Sequence, residues 1–240
     1  MAEAFVAGGR ALAAGRGWDW IRAAWGLFTR QPGVWIGILV IMLVIFFVAA
    51  LIPVFGSIAT IVFGPVFAAG FVIGARAQDQ GGQLAIAHLF AGFRERFGPL
   101  VLVGVLYLVA SAAIGVLVVL VVGAGLLTSL GQGRIDSLPP GALVTILLGM
   151  LIGASLMLPV LMAVWFAPAL VVFHGRDAVQ ALKESFIGCL KNILPFFVYG
   201  LAMFIFGILA AIPFGLGWLV LGPVLAASVY TSYKDIFVSA

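Results

Sequence analysis

Four long blocks of the chain, residues 31–75, 97–133, 137–175 and 192–233, contain no Asp, Glu, Lys or Arg. Each exceeds the roughly 20 residues a helix needs to cross the ~30 Å hydrocarbon core of a bilayer. A soluble chain of 240 residues must wet its surface with charge, yet only 8% of these residues are charged and 65% are apolar. Globular proteins carry about 25% charged residues. The chain is therefore expected to be an all-α integral membrane protein whose solvent is lipid.

Two of the blocks each hold a helical hairpin. Residues 34–52 and 58–75 are separated by Pro53, Gly56 and Ser57, and residues 193–212 and 216–233 by Pro213, Phe214 and Gly215. Both groups are turn formers. The middle blocks read as single spans over 99–122 and 143–173, the second tilted, kinked or overlong because it contains Pro159 and Pro168. Six spans result. Arg10, Arg16, Arg22, Arg30, Arg76, Arg94, Arg96, Arg176, Lys183, Lys191 and Lys234 then fall on one side, against Arg134 alone on the other. Positive residues resist translocation, so both termini are expected on the cytoplasmic side of the membrane.

The chain also repeats itself. Gly17, Asp19, Ala23 and Phe28 match Gly175, Asp177, Ala181 and Phe186 at a constant offset, and Gly64-Pro65-Val66 matches Gly222-Pro223-Val224. A weaker copy lies between, through Gly82, Ile86, Phe93 and Pro159-Val160. The expectation is three parallel repeats, about 17–78, 82–173 and 175–237, each an amphipathic entry helix followed by a two-span hairpin. Together they form one membrane domain over 17–240. Residues 1–16 lack the apolar core of a signal peptide and read as a flexible tail.

In the entry helices, near 18–30, 84–97 and 178–192, an aromatic-rich face opposes a basic one. Trp18, Ile21, Trp25 and Phe28 form the first apolar stripe. Such helices can lie in the membrane interface, which makes Arg22, Arg30, Arg94 and Lys183 candidate contacts for anionic lipid. The bland alternative is a solvated face that serves only as a topology signal. Asp177 can cap the third helix through Gln180. The prolines Pro65, Pro159 and Pro223 recur at equivalent places. Their kinks either line a central cavity or simply let the hairpins pack.

Chemistry is sparse. No ionisable residue lies in the middle of a span, where it would mark an ion or proton path. No HExxH, GxSxG or P-loop pattern occurs, so no catalytic residue and no cofactor are assigned. His88 and His174 lie too far apart in sequence to suggest a metal site. The single cysteine, Cys189, excludes an internal disulfide and is expected to pack as a small hydrophobe.

Trp165-Phe-Ala-Pro-Ala-Leu-Val-Val-Phe-His-Gly175, the C-terminal run ending at Phe237, and Trp25-Gly-Leu-Phe-Thr-Arg-Gln-Pro32 with Ile52-Pro53-Val-Phe-Gly56 resemble a family of uncharacterised bacterial inner-membrane proteins. The chain is more distantly similar to the membrane domain attached to some glycerophosphodiester phosphodiesterases, but it contains no phosphodiesterase domain. Two functions stay open. One is a non-enzymatic accessory or scaffolding protein, with membrane lipids or another membrane protein or complex as partners and no nucleic acid. The other is a small permease or lipid-handling transporter with a cavity between the repeats.

Overall fold

The structure, a computed structural model, describes residues 4–130 and 140–239, with the side chains of 125–130 and 140–142 excepted. The chain forms two compact units. One comprises the chain up to Val105 and from Met162 onward, the other Leu106–Leu161.

The helices are α1 (Arg16–Arg30), α2 (Pro32–Ala50), α3 (Phe55–Asp79), a 3-10 turn (Ile86–Phe90), α4 (Ala91–Glu95), α5 (Phe97–Leu130), α6 (Pro140–Trp165), α7 (Ala167–His174), α8 (Ala178–Lys191), α9 (Ile193–Ala211) and α10 (Trp218–Phe237). Among the described residues, five stretches are long and apolar enough to cross a membrane: Pro32–Ala50, Phe55–Asp79, Phe97–Ala124, Leu143–His174 and Ile193–Ala211. The expected sixth span is α10, and it falls short of that standard. Tyr230, Thr231, Ser232, Tyr233, Lys234 and Asp235 make its last turns polar, and Val224, Ala227, Tyr230, Tyr233, Ile236 and Phe237 are buried in the first unit. Helix α5 continues to Leu130, past the end expected for the third span at 122, and residues 131–139, including Arg134, lie outside the described residues.

The first hairpin turns through Val54, whose φ is 65°. The Phe55 N–H donates to the Pro53 carbonyl at 2.7 Å, closing a three-residue turn of the strained, positive-φ kind. The last hairpin also places a positive φ directly after its proline, at Phe214 (φ 53°). Glycines then close both hairpins, Gly56 against the Ala49 backbone and Gly217 against that of Ala210.

Helix α1 forms as expected, but its inward face differs from the expected stripe. Trp20, Ile21, Ala24, Leu27 and Phe28 are buried, while Trp18 and Trp25 stay 43% and 49% exposed. The rotation has two causes. Gly17 lies directly on the Pro195 and Tyr199 backbone of α9, and the Trp20 indole N–H reaches inward to Asp235. The expected second entry helix is not one helix. Its backbone breaks at Phe90 (φ −99°, ψ 4°), where the segment sits on α3 so closely that Gly70 meets the Leu89 and His88 carbonyls and Gly92 the Val66 carbonyl. The third forms as α8, and the Asp177 carboxylate accepts the Gln180 N–H at 2.8 Å, as the sequence implies.

The expected kink in the fourth span is a break between α6 and α7 at Phe166. Pro168 cannot continue the hydrogen-bond ladder. The hydroxyl of Ser185, on α8, fills the gap by accepting the Phe166 N–H at 2.9 Å and donating to the Met162 carbonyl at 2.7 Å. Cys189 points at the same carbonyl, 3.4 Å away. Its burial drives the thiol pKa up to about 12, so it stays protonated.

The chain before α1, read as a flexible tail, is laid down as a strap over residues 4–16. Strand β1 (Ala4–Phe5) pairs antiparallel with β2 (Val238–Ser239). The buried Asn192 side chain donates to the Arg10 and Gly188 carbonyls at 2.9 and 2.8 Å and accepts the Leu12 N–H at 2.9 Å. A fully buried carboxamide must find such partners, and the strap supplies two of the three. In the second unit, Gly149 and Gly153 of α6 meet Val122 and Val118 of α5, while Val109, Val119, Leu120, Leu147, Leu151 and Leu158 stay exposed.

Candidate functional site

Polar groups from distant parts of the chain gather around the last two turns of α10. Asp235 is the hub. Its side chain is only 9% exposed; it accepts hydrogen bonds from Arg16 Nε at 2.8 Å and Trp20 Nε1 at 2.9 Å, and pairs with Arg10 at 3.3 Å. Burial alone would raise its pKa, but the hydrogen bonds from Arg16 and Trp20, with the charges of Arg16 and Arg10, hold the carboxyl below its ordinary range. One turn earlier, Asp79 from the end of α3 accepts from the Tyr230 hydroxyl at 2.9 Å and from Lys234 Nζ at 2.6 Å. A cavity of ≈ 340 Å³ lies among Arg10, Arg16, Asp19, Asp79, Lys234 and Asp235. Every charge lining it has an opposite neighbour.

Beside it is a cavity of ≈ 300 Å³ lined by Phe5, Arg76, Phe173, His174, Tyr230, Tyr233, Lys234 and Val238. His174 and the Tyr233 hydroxyl are hydrogen-bonded to each other. The Arg76 guanidinium lies over the Phe173 ring at 4.6 Å, and Arg176 over Phe5 at 5.0 Å.

The third feature is an apolar groove of ≈ 480 Å³ between α1, α9 and α10. Trp18, Ile21 and Trp25 form one wall, and Phe206, Leu209, Ala210, Gly217, Val220, Leu221 and Val224 form the other. The one charged side chain on it is Arg22, which sits between the two exposed tryptophans on the helix surface and approaches Asp19 only to 4.0 Å.

The expected lipid contacts are not brought together at one site. Arg22 borders the groove. Arg30 borders a different, polar cavity with Gln31, Gln78 and Gln83, and donates to the Gln78 carbonyl at 3.1 Å. Arg94 on α4 and Lys183 on α8 are exposed, and among the described residues neither forms an ion pair. Trp20 and Trp35 are buried, bonded to Asp235 and to Gln78. Pro65 and Pro223 are buried within α3 and α10, Pro159 is exposed in the second unit, and none lines the cavities described above.

The sequence is 33% identical over 226 residues to a probable inner membrane protein of Burkholderia thailandensis, covering 91% of this chain and 82% of that one. The chain belongs to that protein's family. With five stretches of membrane-spanning length and apolarity among the described residues, it is a multi-pass inner-membrane protein. No family model matches the chain, and no solved structure does. The more distant likeness to phosphodiesterase membrane domains thus rests on sequence motifs alone.

Within this family member, the residues that converge on α10 were not candidates from sequence. The available signal was Tyr230-Thr-Ser-Tyr233-Lys-Asp235, a polar run ending an otherwise apolar helix. Its partners Arg10, Arg16 and Asp79 lie roughly 150 to 225 residues earlier, beyond any spacing rule.

Proposed function

We propose that this protein is a non-enzymatic accessory protein of the bacterial inner membrane that holds a phospholipid, and that α1 is its lipid-binding element. The observation that carries this reading is the groove under α1, an apolar trough with one arginine at its edge. An acyl chain fits a wall of Trp, Ile, Leu, Phe and Val, since it shares their aversion to water. The Arg22 guanidinium supplies charge-assisted hydrogen bonds to a phosphodiester. Trp18 and Trp25 belong at headgroup depth, where amphipathic indoles are favoured.

In this reading both termini are cytoplasmic, α10 is the sixth span, and its charged last turn lies at the inner face. The eleven basic residues on one side support that orientation. The shared sequence motifs and the positive-φ residue after the proline in the first and last hairpins support three parallel repeats. Arg94 and Lys183 add attraction to an anionic leaflet, on the order of 1 kcal/mol each.

The test is the lipid that travels with the protein. Native mass spectrometry of gently solubilised wild type should show bound anionic phospholipid, and Arg22→Glu should reduce it several-fold without loss of fold. Equal retention by both proteins would leave Arg22 as a topology signal and nothing more.

A further inference from the structure

We propose that the cavity between β1, α7 and the end of α10 is a second binding site, for a phosphate group, independent of the groove under α1. Its lining contains two cations, Arg76 and Lys234, two phenols, Tyr230 and Tyr233, and one imidazole, His174. Among the described residues no carboxylate lines it. Lys234 is engaged by Asp79, which spends one of its three donors. Arg76 is different. Among the described residues it makes no ion pair and no hydrogen bond, and its guanidinium rests on the face of Phe173.

A guanidinium stacked on an aromatic ring keeps its in-plane N–H fork directed outward, the geometry that recognises phosphate through two parallel bonds. Here the fork has no acceptor among the described residues. A half-buried cation without a counterion is costly to maintain, and an anion in the cavity offsets that cost. Phe5 and Val238, held by the pairing of β1 with β2, form part of its wall. Phe5 packs on His174 in a tilted arrangement with ring centroids 3.9 Å apart. The volume of ≈ 300 Å³ admits a phosphate monoester or a small headgroup. Arg76 and Lys234 are the expected anion contacts, with the Tyr230 and Tyr233 hydroxyls beside them. The phosphate can come from solution or from a lipid headgroup, and the experiment separates the two.

The full-length protein, delipidated in detergent, is titrated with inorganic phosphate and with glycerol phosphate while its thermal unfolding is followed; chloride at equal ionic strength is the control. In parallel it is reconstituted in nanodiscs of phosphatidylcholine with and without phosphatidylglycerol. Saturable stabilisation by either soluble phosphate assigns a soluble ligand. Stabilisation by phosphatidylglycerol alone that persists in Arg22→Glu and is weakened by Arg76→Gln assigns a headgroup. In either arm Arg76→Gln should weaken the effect about tenfold, the loss of one charge-assisted contact, and Arg76→Lys should restore only part of it. Arg22→Glu, which alters the groove, should leave the response to soluble phosphate unchanged; in nanodiscs, where the groove also takes anionic lipid, the effect of Arg76→Gln is read in the Arg22→Glu background, so this site and the groove can fail separately. The proposal is overturned if neither soluble phosphate nor phosphatidylglycerol stabilises the wild type. It is overturned equally if Arg76→Gln responds as the wild type does.

Discussion

Asp235 joins the strap, the first helix and the end of the last one through a single carboxylate. Replacing it with Asn removes the charge that Arg10 and Arg16 face and weakens the bond to Trp20. The expected cost is about 1–3 kcal/mol, measured as a lower unfolding temperature in detergent. The pH dependence follows from its depressed pKa. A carboxylate held below its ordinary value of about 3.9 contributes stability that is complete above that value and is lost as pH falls through the lower, folded one. Acid titration of wild type should therefore show a stability loss below about pH 4 that Asp235→Asn lacks. Ser185 carries a second residue-scale prediction. Ser185→Ala orphans the Phe166 N–H at the α6–α7 break and leaves the Met162 carbonyl only the weak Cys189 thiol donor, again costing about 1–3 kcal/mol. The neighbouring Cys189, protonated and buried, should resist maleimide until the protein unfolds. Little of this was legible beforehand. Asp235 and Lys234 read as a charged end to a span, because the sequence does not show which distant residues they meet.

At the scale of elements, helical periodicity identified α1 and α8 and the Asp177 cap. It could not fix the face of α1. Tryptophan suits both a core and an interface, and Trp20 chose the core because its N–H found a carboxylate there. The contact of Gly17 with α9 gives a test. Gly17→Ala places a methyl on the Pro195 carbonyl, so α1 must move outward, at about 1–3 kcal/mol and with a wider groove. The hairpins were legible from Pro and Gly, but not the strain at Val54. A β-branched residue at positive φ is unfavourable by roughly 1–3 kcal/mol. Val54→Gly should therefore raise stability, by about 1 kcal/mol after the entropy glycine loses on folding, read from the same unfolding measurement. The second entry helix was misread because its apolar spacing is compatible with a bent segment, and the close approach to Gly70 and Gly74 that bends it depends on α3.

For the whole molecule, absence of charge fixed the membrane environment and the positions of the five qualifying spans. It overestimated α10, whose buried polar end makes it as much a core element as a span. If both termini are cytoplasmic, Phe214→Cys in a cysteine-free background should react with an impermeant thiol reagent applied to the periplasmic face. Ser239→Cys should react only after permeabilisation, and the opposite pattern would reverse the orientation. The claim at the centre of the account is that the groove beneath α1 is filled by lipid. Brominated phospholipid in nanodiscs tests it, because bromine quenches only indoles within contact range. Trp18 and Trp25 should account for much of the quenching, so wild type should lose a clearly larger share of its fluorescence than the Trp18→Phe, Trp25→Phe double variant. Equal fractional quenching of the two proteins would mean that no acyl chain reaches the groove, and would contradict the account.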